Sequence, residues 1–346
     1  MLARTVENVY WLARYLERAE NTARLISVNT HLLLDLPVGI APGWLPLVDI
    51  TGNRVLFDSA YRGTEERDVV QFLIADRANP GSIVTSLEMA RENARTLRDV
   101  LPAEAWEELN RFFMGFSEEL PSGLSRRTRF DFLKRSVLMS QTLTGMLEGT
   151  MSRNEAHTFM LLGRNLERAD MSSRIIDVRS AQLLPADVPE LRPFDAIQWM
   201  SVLRSLSGYE MYRLGRRTRV NRADVLEFVL RDEQFPRACL LCLRQMELCL
   251  HGLPHSAGAR SALALTCGFL AAADLGALDQ PGLHELIDKV QLHITAVHDE
   301  IAGTYFPRED RPMTQRQSQF TPDAAPAAAP ATALRAEPSP SRGRQS

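Results

Sequence analysis

The chain has 346 residues, 45% of them apolar and 24% charged, with 40 basic against 43 acidic side chains and a formal net charge of −3. That length suffices for one large or two medium hydrophobic cores, and the composition excludes both wholesale disorder and a fibrous repeat. The near balance of charge argues against a nucleic-acid partner, which requires a concentrated excess of cations on one surface.

No stretch reaches the roughly 18 uninterrupted apolar residues of a membrane helix. Arg4, Glu7, Arg14, Glu17 and Arg18 occupy the region where a signal peptide would be apolar. A soluble, cytoplasmic protein without membrane contact is therefore expected. Cys239, Cys242, Cys249 and Cys267 lie in apolar contexts, which suits a reducing compartment. The Cys239-x-x-Cys242 pair has no second pair at zinc spacing and reads as core. Lys occurs only at Lys134 and Lys289, so nearly every cation is an Arg, whose planar fork suits bidentate carboxylate or phosphate contacts.

In chain order, apolar residues recur at helical spacing from Thr5 to Leu36, and Pro37, Gly39, Pro42 and Gly43 then mark a turn. Helical pattern follows over Trp44 to Tyr61, Arg67 to Ala75, Ser82 to Leu101, Ala103 to Leu120 and Arg127 to Met151. Asn79-Pro80-Gly81 and Pro121-Ser122-Gly123 read as breaks. A second long helix is predicted from Asn154 to Leu184. Beyond Pro185 and Pro189 come Phe194 to Leu206, Gly208 to Arg217, Arg222 to Leu230, Pro236 to His251, Ala257 to Ala273 and Gly282 to Tyr305. No alternating strand pattern appears, so the fold class is all-α. From 307 to 346 Pro, Ala, Ser and Arg dominate, a composition that cannot bury a core, and a disordered tail is expected.

Internal similarity is the most informative feature. Leu12 to Val28 aligns without gaps to Leu162 to Val178, a shift of 150, with nine of seventeen positions identical. A weaker match follows at a shift of 156, where Val69, Phe72, Asp76, Pro80 and Leu87 meet Val225, Phe228, Asp232, Pro236 and Leu243. Two matches in the same order imply a duplicated unit: a helical bundle of two pseudo-twofold-related halves, about 1–152 and 153–306, making one domain over 1–306.

At about 100° per residue, Arg14, Glu17, Arg18, Asn21 and Arg24 share one arc of the first helix, and Leu12, Tyr15, Leu16, Ala19, Ala23 and Ile26 the opposite one. The second copy keeps Arg164, Glu167, Arg168 and Arg174, with Met171 in place of the Asn. A third strip, Arg91, Glu92 and Arg95, follows Pro80. An isolated charged arc usually faces water, where each pair stabilises by about 0.2–0.5 kcal/mol. Between the copies, however, the charges match while Tyr15 and Ala23 become Asn165 and Ser173. Two readings account for this: a buried Glu–Arg network joining the long helices, or a cleft whose Arg side chains hold an anionic ligand.

Trp11-Leu-Ala-Arg-Tyr-Leu-Glu-Arg-Ala-Glu-Asn-Thr-Ala-Arg24 resembles the opening signature of the bacterial alpha-E family, α-helical domains named for a Glu-Arg motif. Asn79 to Ile83, Ala90 to Arg95, Leu162 to Asp170, Tyr212-Arg213, Phe235-Pro236 and Tyr305-Phe306 are similar to that pattern in order, over about Met1 to Phe306. The resemblance carries no established reaction. It implies company: a circularly permuted ATP-grasp ligase and a transglutaminase-like peptidase encoded nearby, hence amide or peptide metabolism.

Signatures of other chemistry are missing. There is no Gly-x-Gly pair and no Gly-x-x-x-x-Gly-Lys loop for phosphates, no Glu-x-x-His for di-iron, no His-Glu-x-x-His, and no Gly-x-Ser-x-Gly elbow. His293, His298, Asp299 and Glu300 diverge around a helix and read as surface residues. No cofactor and no metal is expected. Taken with the company that the resemblance implies, these absences favour a non-catalytic helical partner of an ATP-grasp-type ligase that binds an anionic or peptide ligand at the duplicated Arg/Glu pair, with Tyr212 and Arg213 as further candidates. The alternatives are an enzyme using Glu17 and Glu167 as acid and base in amide chemistry, and a purely structural scaffold.

Overall fold

The computed structural model describes residues 1–37, 42–181, 192–216 and 219–307. Fifteen helices and no strand occur among the described residues, which makes the fold all-α. The expected tail from 308 onward lies outside the described residues, as do Gly39, Pro185 and Pro189.

Two long helices organise the molecule: α1 (Ala3–Asp35) and α9 (Glu155–Ala181). They pack side by side and run in the same direction, because contacts advance together along both. Met1 meets Glu155, the Tyr10 carbonyl faces Gly163, Arg14 meets Glu167, and Asn29 meets Arg179. Helix α1 is covered further by α5 (Ile83–Arg95), α8 (Arg129–Thr150) and α10 (Arg192–Ser205). Helix α9 is covered by α13 (Cys239–His251), α15 (Gln280–Tyr305) and the short α2 (Pro46–Thr51). Every residue from Val9 to Ala23 is buried as a result. A helix enclosed on all sides is usually apolar all round; this one carries Arg14, Glu17, Arg18 and Glu20 inside the core, and those charges must find partners there.

The local signals explain most boundaries. Leu36 is extended (φ −107°, ψ 142°) before Pro37, whose ring disfavours helical geometry in the preceding residue. Ser82 caps α5 by accepting from the Thr85 amide at 3.2 Å, and Asp279 caps α15 by accepting from the Gly282 amide at 2.8 Å. Where the sequence predicts one helix over 44–61, the chain forms α2 and α3 (Arg54–Ala60), separated by Gly52 at φ 70°, which a residue without a β-carbon adopts freely. The helix predicted over 82–101 ends at Arg95 and continues as turns. The break expected at 121–123 instead holds the short α7 (Leu120–Leu124), with Pro121 in its first turn, where a missing N–H costs nothing. Helices α4 (Glu66–Ile74), α6 (Ala103–Glu118), α11 (Tyr209–Gly215), α12 (Arg222–Arg231) and α14 (Ala257–Ala272) complete the bundle.

Candidate functional site: a buried arginine and carboxylate core

The charged arcs of α1 and α9 face each other rather than water, and they exchange partners. From α1, Arg14 Nε donates to Glu167 Oε2 at 2.8 Å and Arg18 Nε to Glu167 Oε1 at 2.6 Å, with a second Arg18 nitrogen 3.0 Å from Oε2. From α9, Arg168 Nε donates to Glu17 Oε2 at 3.0 Å. Glu17 is 3% and Glu167 1% exposed, so water does not screen these pairs.

Each carboxylate takes two guanidinium groups, but the second comes from a different place. Glu167 takes its second from Arg14, one turn away from Arg18 on α1. The counterpart residue Arg164 turns instead to Glu148 on α8, at 2.6 Å. Glu17 is completed by Arg237, which stands between α12 and α13, bonds Glu17 Oε1, and reaches Asn21 Oδ1 at 2.6 Å and Glu20 Oε1 at 3.0 Å. Glu20 also takes Arg24 at 2.8 Å, and Asp170 takes Arg174 at 2.9 Å. Removing a carboxylate from water penalises its charged form, yet Arg18 and Arg14 outweigh burial and hold Glu167 down at about 2. Burial opposes Glu17 likewise, and Arg168 with Arg237 overcomes it, so its carboxyl also lies below the usual range.

An aromatic wall closes one end. Tyr10 Oη lies 2.7 Å from His298 Nδ1, and the His298 ring sits among Tyr10, Trp11 and Phe306. The Arg14 guanidinium stacks over Trp11, 4.6 Å from the ring centroid. Burial and the adjacent Arg14 cation push the imidazole down to about 3, so His298 is neutral, and burial raises the Tyr10 phenol to about 12. The sequence reading placed His298 at the surface. It is instead 5% exposed, because α15 turns that position toward α1 while Asp299 and Glu300 face outward.

The other sequence candidates lie apart from this core. Arg91 donates to Asn110 at 2.7 Å and lies over Phe113, while Glu92 and Arg95 pair with each other at the surface. Tyr212 is buried against Phe228, and Arg213 lies beside the Tyr209 ring. Conversely, Arg237, Glu148 and Tyr10 belong to the network or its wall without standing out in the sequence. The one hint was the Phe235-Pro236 step immediately before Arg237.

Chemically, the arrangement suits cohesion better than turnover. At about 2, Glu167 has no proton to give near neutrality and is a weak base. The void that touches it, lined by Arg18, Thr22, Thr51, Gly81, Asp170, Met171 and Arg174, measures about 10 Å³, room for about one water. Glu17 does not line it. Grooves of about 200 and 230 Å³ lie elsewhere, beside Trp44 and Arg129 and between α6 and α8. No helix among the described residues is long and apolar enough to cross a membrane. One cluster of three metal-ligating side chains stands out among the described residues: Asp177, His284 and Asp288.

An uncharacterised protein of Mycobacterium bovis and two of Mycobacterium tuberculosis are each 28% identical to the chain over 280 residues, covering 74% of it. The chain spans only 30% of the length of each of these relatives. No solved structure matches. Residues 1–306 match the family described as a predicted alpha-helical domain with a conserved ER motif, and the chain therefore belongs to the Alpha-E family.

Proposed function

We propose that the chain is a non-catalytic helical partner of an ATP-grasp-type amide or peptide ligase, acting alongside a transglutaminase-like peptidase, and that the Glu-Arg core is the pin that holds its binding surfaces rigid. One observation carries this reading: Glu17 and Glu167 are each saturated by two guanidinium groups inside the core, and the void that touches Glu167 among the described residues holds about one water. An anionic or peptide ligand at the pair would have to displace a carboxylate from its arginines, so ligand binding belongs to the outer surface. The length of the relatives is consistent with a module that works together with other polypeptide. The missing phosphate loops and nucleophile motifs fit as well.

The core also favours an origin by duplication, with halves of about 1–152 and 153–306 related by a pseudo-twofold axis lying between and along α1 and α9. Paired residues on these helices differ by 149 to 153 in number (Arg18 with Glu167, Arg14 with Glu167), against a sequence shift of 150. Coverage is reciprocal too, since α2 of the first half packs on α9 and α10 of the second packs on α1.

The decisive experiment co-expresses the chain with the ligase encoded beside it and measures co-purification and ATP turnover with candidate peptides. Stable association and a turnover that depends on the chain are expected. Failure to associate, together with full ligase activity in its absence, would remove the reading. Amide hydrolysis by the isolated chain, abolished in Glu167→Gln, would restore the enzymatic alternative.

A further inference from the structure

A second cluster of charge lies on the outside of the bundle, where the C-terminal part of α9 meets the start of α15. Asp177 of α9 and His284 and Asp288 of α15 converge there, the latter two one turn apart on the same helix face. Asp177 Oδ1 lies 2.7 Å from His284 Nδ1, and Asp288 Oδ2 lies 3.5 Å from His284 Nε2. Both ring nitrogens therefore face carboxylate oxygens. A neutral imidazole has one N–H and one lone pair, so whichever nitrogen lacks the proton turns its lone pair toward an anion. A second proton on the ring relieves that contact and leaves a net charge of −1 among the three groups, on which the Arg174 cation also acts through Asp177. A divalent cation with a neutral imidazole balances all three.

We propose that Asp177, His284 and Asp288 form a binding site for a divalent transition-metal ion of the zinc type. One ligand atom from each residue can be chosen so that all lie within 4.8 Å of one another. Tetrahedral zinc, with bonds of about 2.0–2.2 Å, needs its ligand atoms about 3.4 Å apart. Half-exposed Asp288 and His284 close that gap by changes of rotamer, while Asp177 on the packed α9 is the fixed ligand. Mixed imidazole and carboxylate donors suit zinc and its neighbours better than calcium or magnesium. Three protein ligands leave at least one position open, to water or to a carboxylate of a partner. The site departs from the metal-free expectation of the sequence because its third ligand comes from a helix more than a hundred residues away. It is independent of the ligase reading.

The test titrates the full chain with zinc(II) against a chromogenic chelator and with cobalt(II), followed by its visible absorption. One ion per chain is expected, with cobalt bands of oxygen and nitrogen ligation and no thiolate charge-transfer band. His284→Ala and Asp288→Asn each weaken binding by at least about tenfold, while His293→Ala on the same helix leaves it unchanged. Thermal unfolding confirms that the variants fold. Absence of a bound ion, or equal affinity in His284→Ala, overturns the proposal and leaves a plain ion-pair cluster.

Discussion

Gly163 of α9 lies directly against the backbone carbonyl of Tyr10 on α1, so closely that a β-carbon at 163 would collide with that oxygen. The contact sets how near the two helices approach, one turn before Arg14 meets Glu167, and near approach lets guanidinium and carboxylate bond across the interface. Gly163→Ala is expected to destabilise the protein by about 1–3 kcal/mol in chemical denaturation, because rigid backbone has to move. Gly145→Ala, in the exposed middle of α8 with open space around it, is expected to raise stability by about 1 kcal/mol. Equal effects at both sites would show that the contact does not limit packing.

Arg237 distinguishes a structural core from surface charge. Removing its side chain leaves Glu17 and Glu20 each one guanidinium short in a buried site. Arg237→Ala should therefore cost about 3–5 kcal/mol, read as a lowered denaturation midpoint. Arg95→Ala, which breaks an exposed pair with Glu92, should leave the midpoint where it is.

Arg179 carries the opposite expectation. Its guanidinium is buried, one nitrogen donates to Asn29 Oδ1 at 2.9 Å, and the other two find no partner among the described residues. Burial pushes it down to about 10. An apolar side chain of similar length removes that desolvation cost, so Arg179→Met should raise stability by about 1–3 kcal/mol. A loss of comparable size would show that the cation has a partner that holds it in place.

Acid should destabilise the protein through two groups. His298 titrates at about 3 when folded against 6.5 when unfolded, so below pH 6.5 the unfolded chain binds the extra proton and stability falls with pH. Between pH 6.5 and 5 this amounts to about 2 kcal/mol. Glu167, with a folded value of about 2 against 4.5, contributes stability present above pH 4.5 that disappears as the pH falls toward 2. Denaturation midpoints measured from pH 7 to 3 should fall from pH 6.5 and steepen below 4.5, and His298→Gln should make the profile shallower from pH 6.5 to 3 while the steepening below 4.5 remains. A flat profile between pH 6.5 and 5 in the native chain would contradict the buried neutral imidazole.

The helices themselves were largely legible in the sequence, because apolar period and punctuation act locally. Pro37 stops α1, and Ser82 and Asp279 cap α5 and α15. The misplaced boundaries fall where turn geometry outweighs pattern, as at Gly52, whose positive φ splits a predicted helix in two. The recurrence of Arg-x-x-Glu-Arg at a shift of 150 likewise marks the α1 and α9 arcs in the sequence itself.

Whether those arcs face water, a ligand or each other was beyond sequence, since periodicity gives the direction of a side chain about its own helix axis and nothing of what lies opposite. Tertiary packing decided it by running α1 and α9 in the same direction at close range and covering both, which left Glu17 and Glu167 no solvent to face and made paired arginines obligatory. The same packing recruited Arg237 and His298 from elements far along the chain. It also brought Asp177 beside His284, contacts that no spacing within a single segment encodes.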